Sequence, residues 1–157
     1  MRLFVIDLDG VIFDPSHRAH LVPDTHGHNK HWELHQAPEQ VALDPVLEHN
    51  VNLIRGMINL ETDQIVFLSS RASSNYQVTV ERLRKLFPEF RALWRYTCRD
   101  TDDHRPPAVF KTSVMHCILD LYNPDVVYFI EDTISNCNEV LRYFPKIIPV
   151  VFYKCPT

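Results

Sequence analysis

Glycine is nearly missing from this chain: Gly10, Gly27 and Gly56 are all it has in 157 residues. Neither a G-x-G-x-x-G fingerprint nor a G-x-x-x-x-G-K-[ST] loop can be built from them. That excludes the backbone phosphate cradles of Rossmann dinucleotide enzymes and P-loop kinases. Any phosphate must instead be gripped by the loop after Asp7, by Ser69 and by Lys and Arg side chains. Long apolar runs are missing too. None approaches the roughly 18 residues needed to cross a bilayer, and the first segment lacks the form of a signal peptide, so a cytoplasmic protein without membrane association is expected. Paired cysteines are absent: Cys98, Cys117, Cys137 and Cys155 show no C-x-x-C spacing, and most lie in or beside apolar segments, which points to free thiols rather than bridges or zinc ligands. Positive charge is in deficit, with a formal net charge of −4. That excludes a protein that coats nucleic acid by bulk electrostatics.

What charge there is lies unevenly. Arg82, Arg84, Lys85, Arg91, Arg95, Arg99, Arg105 and Lys111 are half of the 16 Lys and Arg residues. A solvated helix face accounts for part of that run, and a phosphorylated substrate for the rest. Seven of nine histidines, His17, His20, His26, His28, His31, His35 and His49, crowd the first third of the chain. His31 and His35 have ligand spacing but no evident third partner, so pH-sensitive loop contacts or solvated histidines are expected rather than zinc.

Apolar runs suited to buried parallel strands occur at 3–7, 65–69, 126–130 and 147–152, with a weaker one near 93–97. Helical spacing joins Val46 to Ile58, Tyr76 to Phe87 before Pro88, Phe110 to Leu121 after Pro106 and Pro107, and Ile134 to Phe144 before Pro145. The alternation predicts a single α/β domain: a parallel sheet of about five strands, helices on both faces and right-handed crossovers. Ligands of such a sheet sit beyond the carboxyl ends of its strands. Residues 14–44 are polar and loop-like, and are expected to form a small cap or lid over that edge. Trp32 within them suits either stacking on a base or pinning the lid.

The strand ends are chemically coherent. The first delivers Asp7 and Asp9, then Gly10, where the backbone turns. With a period of two, both carboxylates should leave the edge on one side. An Asx-type turn after a buried strand would look alike in this segment alone. The second strand delivers Ser69, Ser70 and Arg71, and the fourth Glu131 and Asp132. Asp7, Asp9 and Asp132 offer the hard oxygens that Mg²⁺ requires, and Lys111 the charge that a phosphoryl group requires.

In that order, Asp7-x-Asp9-Gly10, Ser69, Lys111 and Glu131-Asp132, the chain resembles the haloacid dehalogenase-like (HAD) phosphatases. The resemblance implies that Asp7 is the nucleophile forming an aspartyl-phosphate and that Asp9 is the acid, then the base. It further implies that Ser69 and Lys111 complete the catalytic set, and that Asp132 binds Mg²⁺ with Glu131 orienting ligands behind it. Phosphoryl transfer needs that division of labour between two identical side chains, so their environments must differ. A narrower resemblance, to the 3′-phosphatase domain of phage-type polynucleotide kinase/phosphatases and small phage phosphatases, rests on Ser69-Ser70-Arg71, Thr79, Arg99-x-x-x-Asp103-x-Arg105 with Lys111 six residues on, and Ser16-His17-Arg18. Ser70 stands where that group commonly has Gly, and Glu131 where many carry Asp. Arg71, Arg99 and Arg105 can fork onto phosphate oxygens with Asp103 holding one of the guanidiniums, although surface arginines with a helix-capping Asp would look alike, and His17 and Arg18, nearest in sequence to Asp7 and Asp9, are the candidates of the 14–44 segment to reach substrate.

The expected activity is a Mg²⁺-dependent phosphomonoesterase acting on nucleic-acid 3′ ends or nucleotides, with a nucleoside 5′-monophosphatase as the alternative. A receiver-like module would need a phosphate-accepting Asp where Ser69-Ser70 stands. A silent phosphate-binding protein would not need the full catalytic set. Nothing in the residue pattern identifies a protein partner.

Overall fold

Residue parity along the central strand sorts the whole interior. In the computed structural model, which describes residues 1–22, 30–90 and 94–153 and the side chains of all of these but 30–32, five strands form one sheet. They are β1 (Arg2–Ile6), β2 (Gln64–Ala72), β3 (Trp94–Arg99), β4 (Val126–Glu131) and β5 (Ile148–Val151). All pairings are parallel and the order is β3-β2-β1-β4-β5. Helices α1 (Lys30–His35), α2 (Pro38–Ala42), α3 (Glu48–Met57), α4 (Tyr76–Leu86), α5 (Pro107–Tyr122) and α6 (Ile134–Tyr143) complete the fold. None of the described helices is long and apolar enough to cross a membrane.

Phe4 and Ile6 face one core with Ile65 and Phe67, closed by Val51 and Ile54 of α3 and Val80 and Leu83 of α4. Leu3 and Val5 face the other with Val66, Leu68, Val127 and Phe129, closed by Phe110 and Met115 of α5 and Cys137 and Val140 of α6. Alternate side chains of a strand point to opposite faces, so a buried parallel strand needs apolar residues at every position, as β1 has. Burying a side chain of this size contributes roughly 1.5–3 kcal/mol, so the two layers hold the sheet edge in place.

The parity carries past the strand ends. Asp7, two residues beyond Val5, is on the α5/α6 side, and its N–H extends the ladder to the Ile130 carbonyl at 2.9 Å. Glu131, two beyond Phe129, ends β4 on that side as well. The chain moves outward on one side of β1 to β2 and β3 and returns on the other to β4 and β5, so the switch point of the sheet lies between β1 and β4. Crevices at such points are where open α/β sheets bind ligands.

The elements expected from sequence are all present within a few residues, including the weaker strand. The segment 14–44 differs. It is not loop-like in its described part but folds into a 3₁₀ turn, Ser16–Leu21, and the short helices α1 and α2. Pro38 opens α2, where its missing N–H costs nothing, and Val41 is buried beneath it. Positions His26, His28, Arg91 and Cys155 and the side chains of His31 and Trp32 lie outside the described residues, and Cys98, Cys117 and Cys137 are free thiols.

Candidate active site

Lys111, in the second turn of α5, reaches the sheet edge from the α5/α6 side and lies between two carboxylates. Its Nζ stands 2.8 Å from Asp7 Oδ1 and donates to Glu131 Oε2 at 2.6 Å. Glu131 Oε1 accepts from the Thr133 N–H at 3.2 Å and from Asn136 Nδ2 at 3.0 Å. Both oxygens of Glu131 are therefore engaged by this chain's own donors. Asp132 completes the group, its Oδ1 accepting from Thr133 Oγ1 at 3.0 Å. Burial, with the Glu131 carboxylate beside it, pushes Asp7 up to about 8 against the pull of Lys111. Burial works against the Lys111 charge as well, yet Asp7 and Glu131 hold its pKa well above the ordinary range. Asp132 is raised by burial and then by Asp7.

Three carboxylates against one ammonium leave excess negative charge that a divalent cation would balance. Asp7, Glu131 and Asp132 each offer an oxygen within 4.8 Å of the others. These are hard oxygen donors gathered closely enough to approach one ion, and Mg²⁺ is commonly bound through one or two carboxylates with water completing its shell, so the donor set fits a hard cation in type. With Glu131 committed to Lys111, Thr133 and Asn136, Asp7 and Asp132 are the residues suited to direct ligation. Asp9 does not belong to this cluster.

Gly10 is what brings Asp132 in so closely. Its φ is +83°, and a Cβ added there would stand 2.0 Å from Asp132 Oδ2. Gly10→Ala is expected to force Asp132 away and strain the turn, a cost of about 1–3 kcal/mol. Any Mg²⁺-induced rise in melting temperature should shrink with it. Thermal melts with and without Mg²⁺ check this, and an unchanged Mg²⁺ response would refute it.

Asp9 follows a different course from the one β-strand alternation implies. β1 ends at Ile6, and residues 8–13 wind through tight turns in which the N–H groups of Val11, Ile12 and Phe13 all donate to the Leu8 carbonyl. The side chain of Asp9 turns to Arg71 Nη2 at 2.5 Å and Arg18 Nη2 at 3.1 Å instead of accompanying Asp7. Burial alone would raise its pKa, but Arg71 and then Arg18 overcome that and hold it below the ordinary carboxylate range. Both arginines are 0% exposed and share a second carboxylate, Asp44. Arg71 also stacks on Phe13, 5.0 Å from the ring centre, and donates to Thr79 Oγ1. Their donors are thus turned inward in this structure, not toward open solvent. Asp44 went unnoticed in the sequence because Leu43-Asp44-Pro45 looks like any helix exit.

His35 is the histidine of the N-terminal cluster with a defined electrostatic role. It is 9% exposed, and Arg18 Nη1 lies 3.2 Å from its ring nitrogens. Burial and then the Arg18 charge lower its pKa to about 4, with Asp9 pulling the other way and Arg71 and His17 adding to the depression. A group depressed in the fold stabilises it above the unfolded value of about 6.5, and that stability is lost as pH falls toward the folded value. The melting temperature is therefore expected to fall between about pH 6.5 and 4 less steeply in His35→Gln than in the wild type. Parallel slopes would refute this.

The remaining expected residues scatter along the same edge. Ser69 is buried, and its Oγ accepts from the Arg71 N–H at 3.1 Å. Asp103 pairs with Arg105 at 2.6 Å, and hydrogen bonding to Arg105 lowers the carboxyl to about 2. Arg99 stacks on Phe110 at 5.3 Å, and its Nε and Nη2 are shielded without a hydrogen-bond partner among the described residues. His17 is part-exposed, its Nδ1 3.6 Å from Asp44. Asn136 had not been singled out. A polar residue one turn into the helix after an acidic strand end is the signal that would have found it.

No protein-family model matches the chain, and no curated protein sequence matches it. Solved structures do, over 99% of the chain. One is a chain of the Pnkp1/Rnl/Hen1 complex, with a TM-score of 0.63, 14% identity and 47% of that chain covered. A second belongs to the Pnkp1/Rnl/Hen1 RNA repair complex, with a TM-score of 0.62, 12% identity and 43% covered. A third is the HAD domain of the Legionella pneumophila effector protein Lem4, an inactive mutant, with a TM-score of 0.57, 13% identity and 86% covered. The chain spans less than half of the two repair-complex chains and most of the HAD domain. The fold is thus HAD-like.

Proposed function

We propose that the protein is a Mg²⁺-dependent phosphomonoesterase that works through Asp7, on the phosphorylated 3′ end of a nucleic acid or on a nucleotide. The observation that carries this is the buried Lys111 ammonium bridging Asp7 and Glu131, with Asp132 within the reach of one cation, at the switch point of a HAD-like sheet. Coarsely, such a fold is shared with phosphatases; the substrate, the metal and the intermediate are this reading's own.

An oxygen of Asp7 attacks phosphorus, the bond to the ester oxygen breaks, and a phosphoryl group resides on Asp7. Lys111 stands where it neutralises an equatorial phosphoryl oxygen as well as Asp7. Mg²⁺ held by Asp7 and Asp132 would supply further charge neutralisation and favour the carboxylate form of Asp7. Asp9 has two duties. Held as a carboxylate by Arg71 and Arg18, it is in the state that takes a proton from the water attacking the phosphoaspartate. In the first step the arriving phosphate dianion raises its proton affinity, so that Asp9 takes a proton from solvent and passes it to the leaving oxygen as the ester bond breaks.

Two further features favour a nucleic-acid end. Arg99, at the carboxyl end of β3, has Nε and Nη2 without a hydrogen-bond partner among the described residues, donors of the kind that grip a phosphate. Structures of an RNA repair complex are among the fold's likenesses. Residues 14–44, from which Arg18 reaches Asp9 and Asp44 reaches Arg18 and Arg71, act as the cap. The test is phosphate release from a 3′-phosphorylated oligonucleotide, free 3′- and 5′-mononucleotides and p-nitrophenyl phosphate, with Mg²⁺ and with chelator. Turnover only of 5′-mononucleotides would replace the end-processing reading with a nucleotidase. No turnover of any ester would end the phosphatase reading.

A further inference from the structure

Two guanidiniums grip Asp9, and neither is held by Asp9 alone. Asp44, 1% exposed, accepts Arg18 Nε at 2.8 Å on Oδ1, and on Oδ2 Arg18 Nη2 at 3.0 Å and Arg71 Nη2 at 2.7 Å. The same Arg18 Nη2 donates to Asp9 Oδ1 at 3.1 Å, and Arg71 reaches Asp9 with Nε at 3.1 Å and Nη2 at 2.5 Å. The four side chains form a ring in which carboxylate and guanidinium alternate, and the two carboxylates touch only through the arginines. Asp44 is itself fixed. Its N–H donates to the Val41 carbonyl at 3.3 Å, and its carbonyl accepts from Arg82, which stacks on Phe13 at 4.2 Å.

We propose that Asp44 is the positioning residue for Asp9: by holding Nε and Nη2 of Arg18 and Nη2 of Arg71 it fixes the two guanidiniums, and so where the donors they turn to Asp9 hold its carboxylate. The inference rests on the phosphatase reading, in which Asp9 moves the proton. A guanidinium is a rigid planar fork, so fixing one edge fixes the direction of the other. Without Asp44, Asp9 would be the one carboxylate among the described residues left to pair with the two arginines, and they would draw it toward themselves, away from the leaving oxygen. Charge neutralisation alone does not account for the ring, because buried ion pairs roughly break even against desolvation. Its three parts also come from different places: Arg18 and Asp44 from the cap segment, Arg71 from β2 and Asp9 from the turn after β1.

A misplaced acid hurts only those esters whose leaving oxygen needs a proton. Alkyl esters do, and p-nitrophenyl phosphate scarcely does. The kcat/KM value reports the steps through phosphoryl transfer to Asp7, so it should be measured for Asp44→Asn, Asp44→Glu and Asp9→Asn in the full chain. The two esters are p-nitrophenyl phosphate and whichever nucleotide or oligonucleotide phosphate the wild type turns over fastest. Asp44→Asn is expected to lose about 30-fold or more on the alkyl ester, through kcat rather than KM, and at least about tenfold less on the aryl ester. Asp9→Asn should show the same selectivity, and adding Asp44→Asn to it should change little. Asp44→Glu, which keeps the charge and moves it by one methylene, should retain the fold and still lose selectively. It carries the test if the Asn variant fails to fold. Equal losses on both esters, or a fully active Asp44→Glu, would overturn the role of Asp44 while leaving the phosphatase reading intact. A wild type inert on both esters would overturn that reading and this one together.

Discussion

Asp7→Asn is expected to lower turnover by at least about three orders of magnitude while leaving the fold as stable as the wild type or more so. The loss follows because an amide oxygen cannot form the phosphoryl bond, and nucleophile replacements cost catalysis on about this scale. Retained stability follows from the geometry. Asparagine keeps an acceptor for the Lys111 ammonium now 2.8 Å away, and removes one negative charge from a group of three carboxylates, two of them buried. Burial and Glu131 already push the carboxyl of Asp7 up to about 8, so the charged form is the disfavoured one when no cation balances it. A folded state that raises a carboxyl pKa gives up stability as pH rises through the unfolded value toward the folded one, and the amide abolishes that penalty. Phosphate release against time and thermal melts at about pH 7 check both halves. More than about 1% residual turnover would sink the nucleophile assignment.

Lys111→Met should have the opposite character, losing activity and stability together. The ammonium is 2% exposed and lies between Asp7 and Glu131, each of which it contacts. Methionine keeps the length of the apolar stem, lacks the ammonium and leaves two buried carboxylates facing each other without a cation. Breaking a buried ionic group from one side costs roughly 3–5 kcal/mol, several times the worth of an exposed pair. Mg²⁺ should recover part of that cost, because a cation bound to the folded state alone stabilises it in proportion to the logarithm of its concentration. Denaturant melts with and without Mg²⁺ measure both effects. A variant as stable as the wild type would mean that Lys111 does not hold the carboxylates together.

The contrast between Asp7 and Asp9 shows where reading by residue pattern stops. Asp7 could be oriented from sequence, since the strand's period of two runs through Leu3 and Val5 into it and the parallel ladder still holds its N–H. Asp9 could not. The turns after Leu8 end the period, and its direction is decided by Arg71, 62 positions away, and by Arg18, whose course depends on Asp44, 26 positions further on. Local spacing carries no information about pairings at such separations. The cap segment misled for a related reason: its three short helical pieces are each too brief to leave a periodic apolar stripe and owe their helicity to packing.

Composition, strand–helix alternation and the ordered acidic, hydroxyl and basic strand ends therefore determined the α/β architecture and which edge carries the chemistry, because those depend on patterns repeated every two or 3.6 residues. Only tertiary structure decided which carboxylate joins Glu131 and Asp132 and which faces the guanidiniums. It also joined Asp44 to Asp9 through two arginines and left Nε and Nη2 of Arg99 without a partner among the described residues, because each of these follows from side chains distant in sequence meeting in a low-dielectric interior.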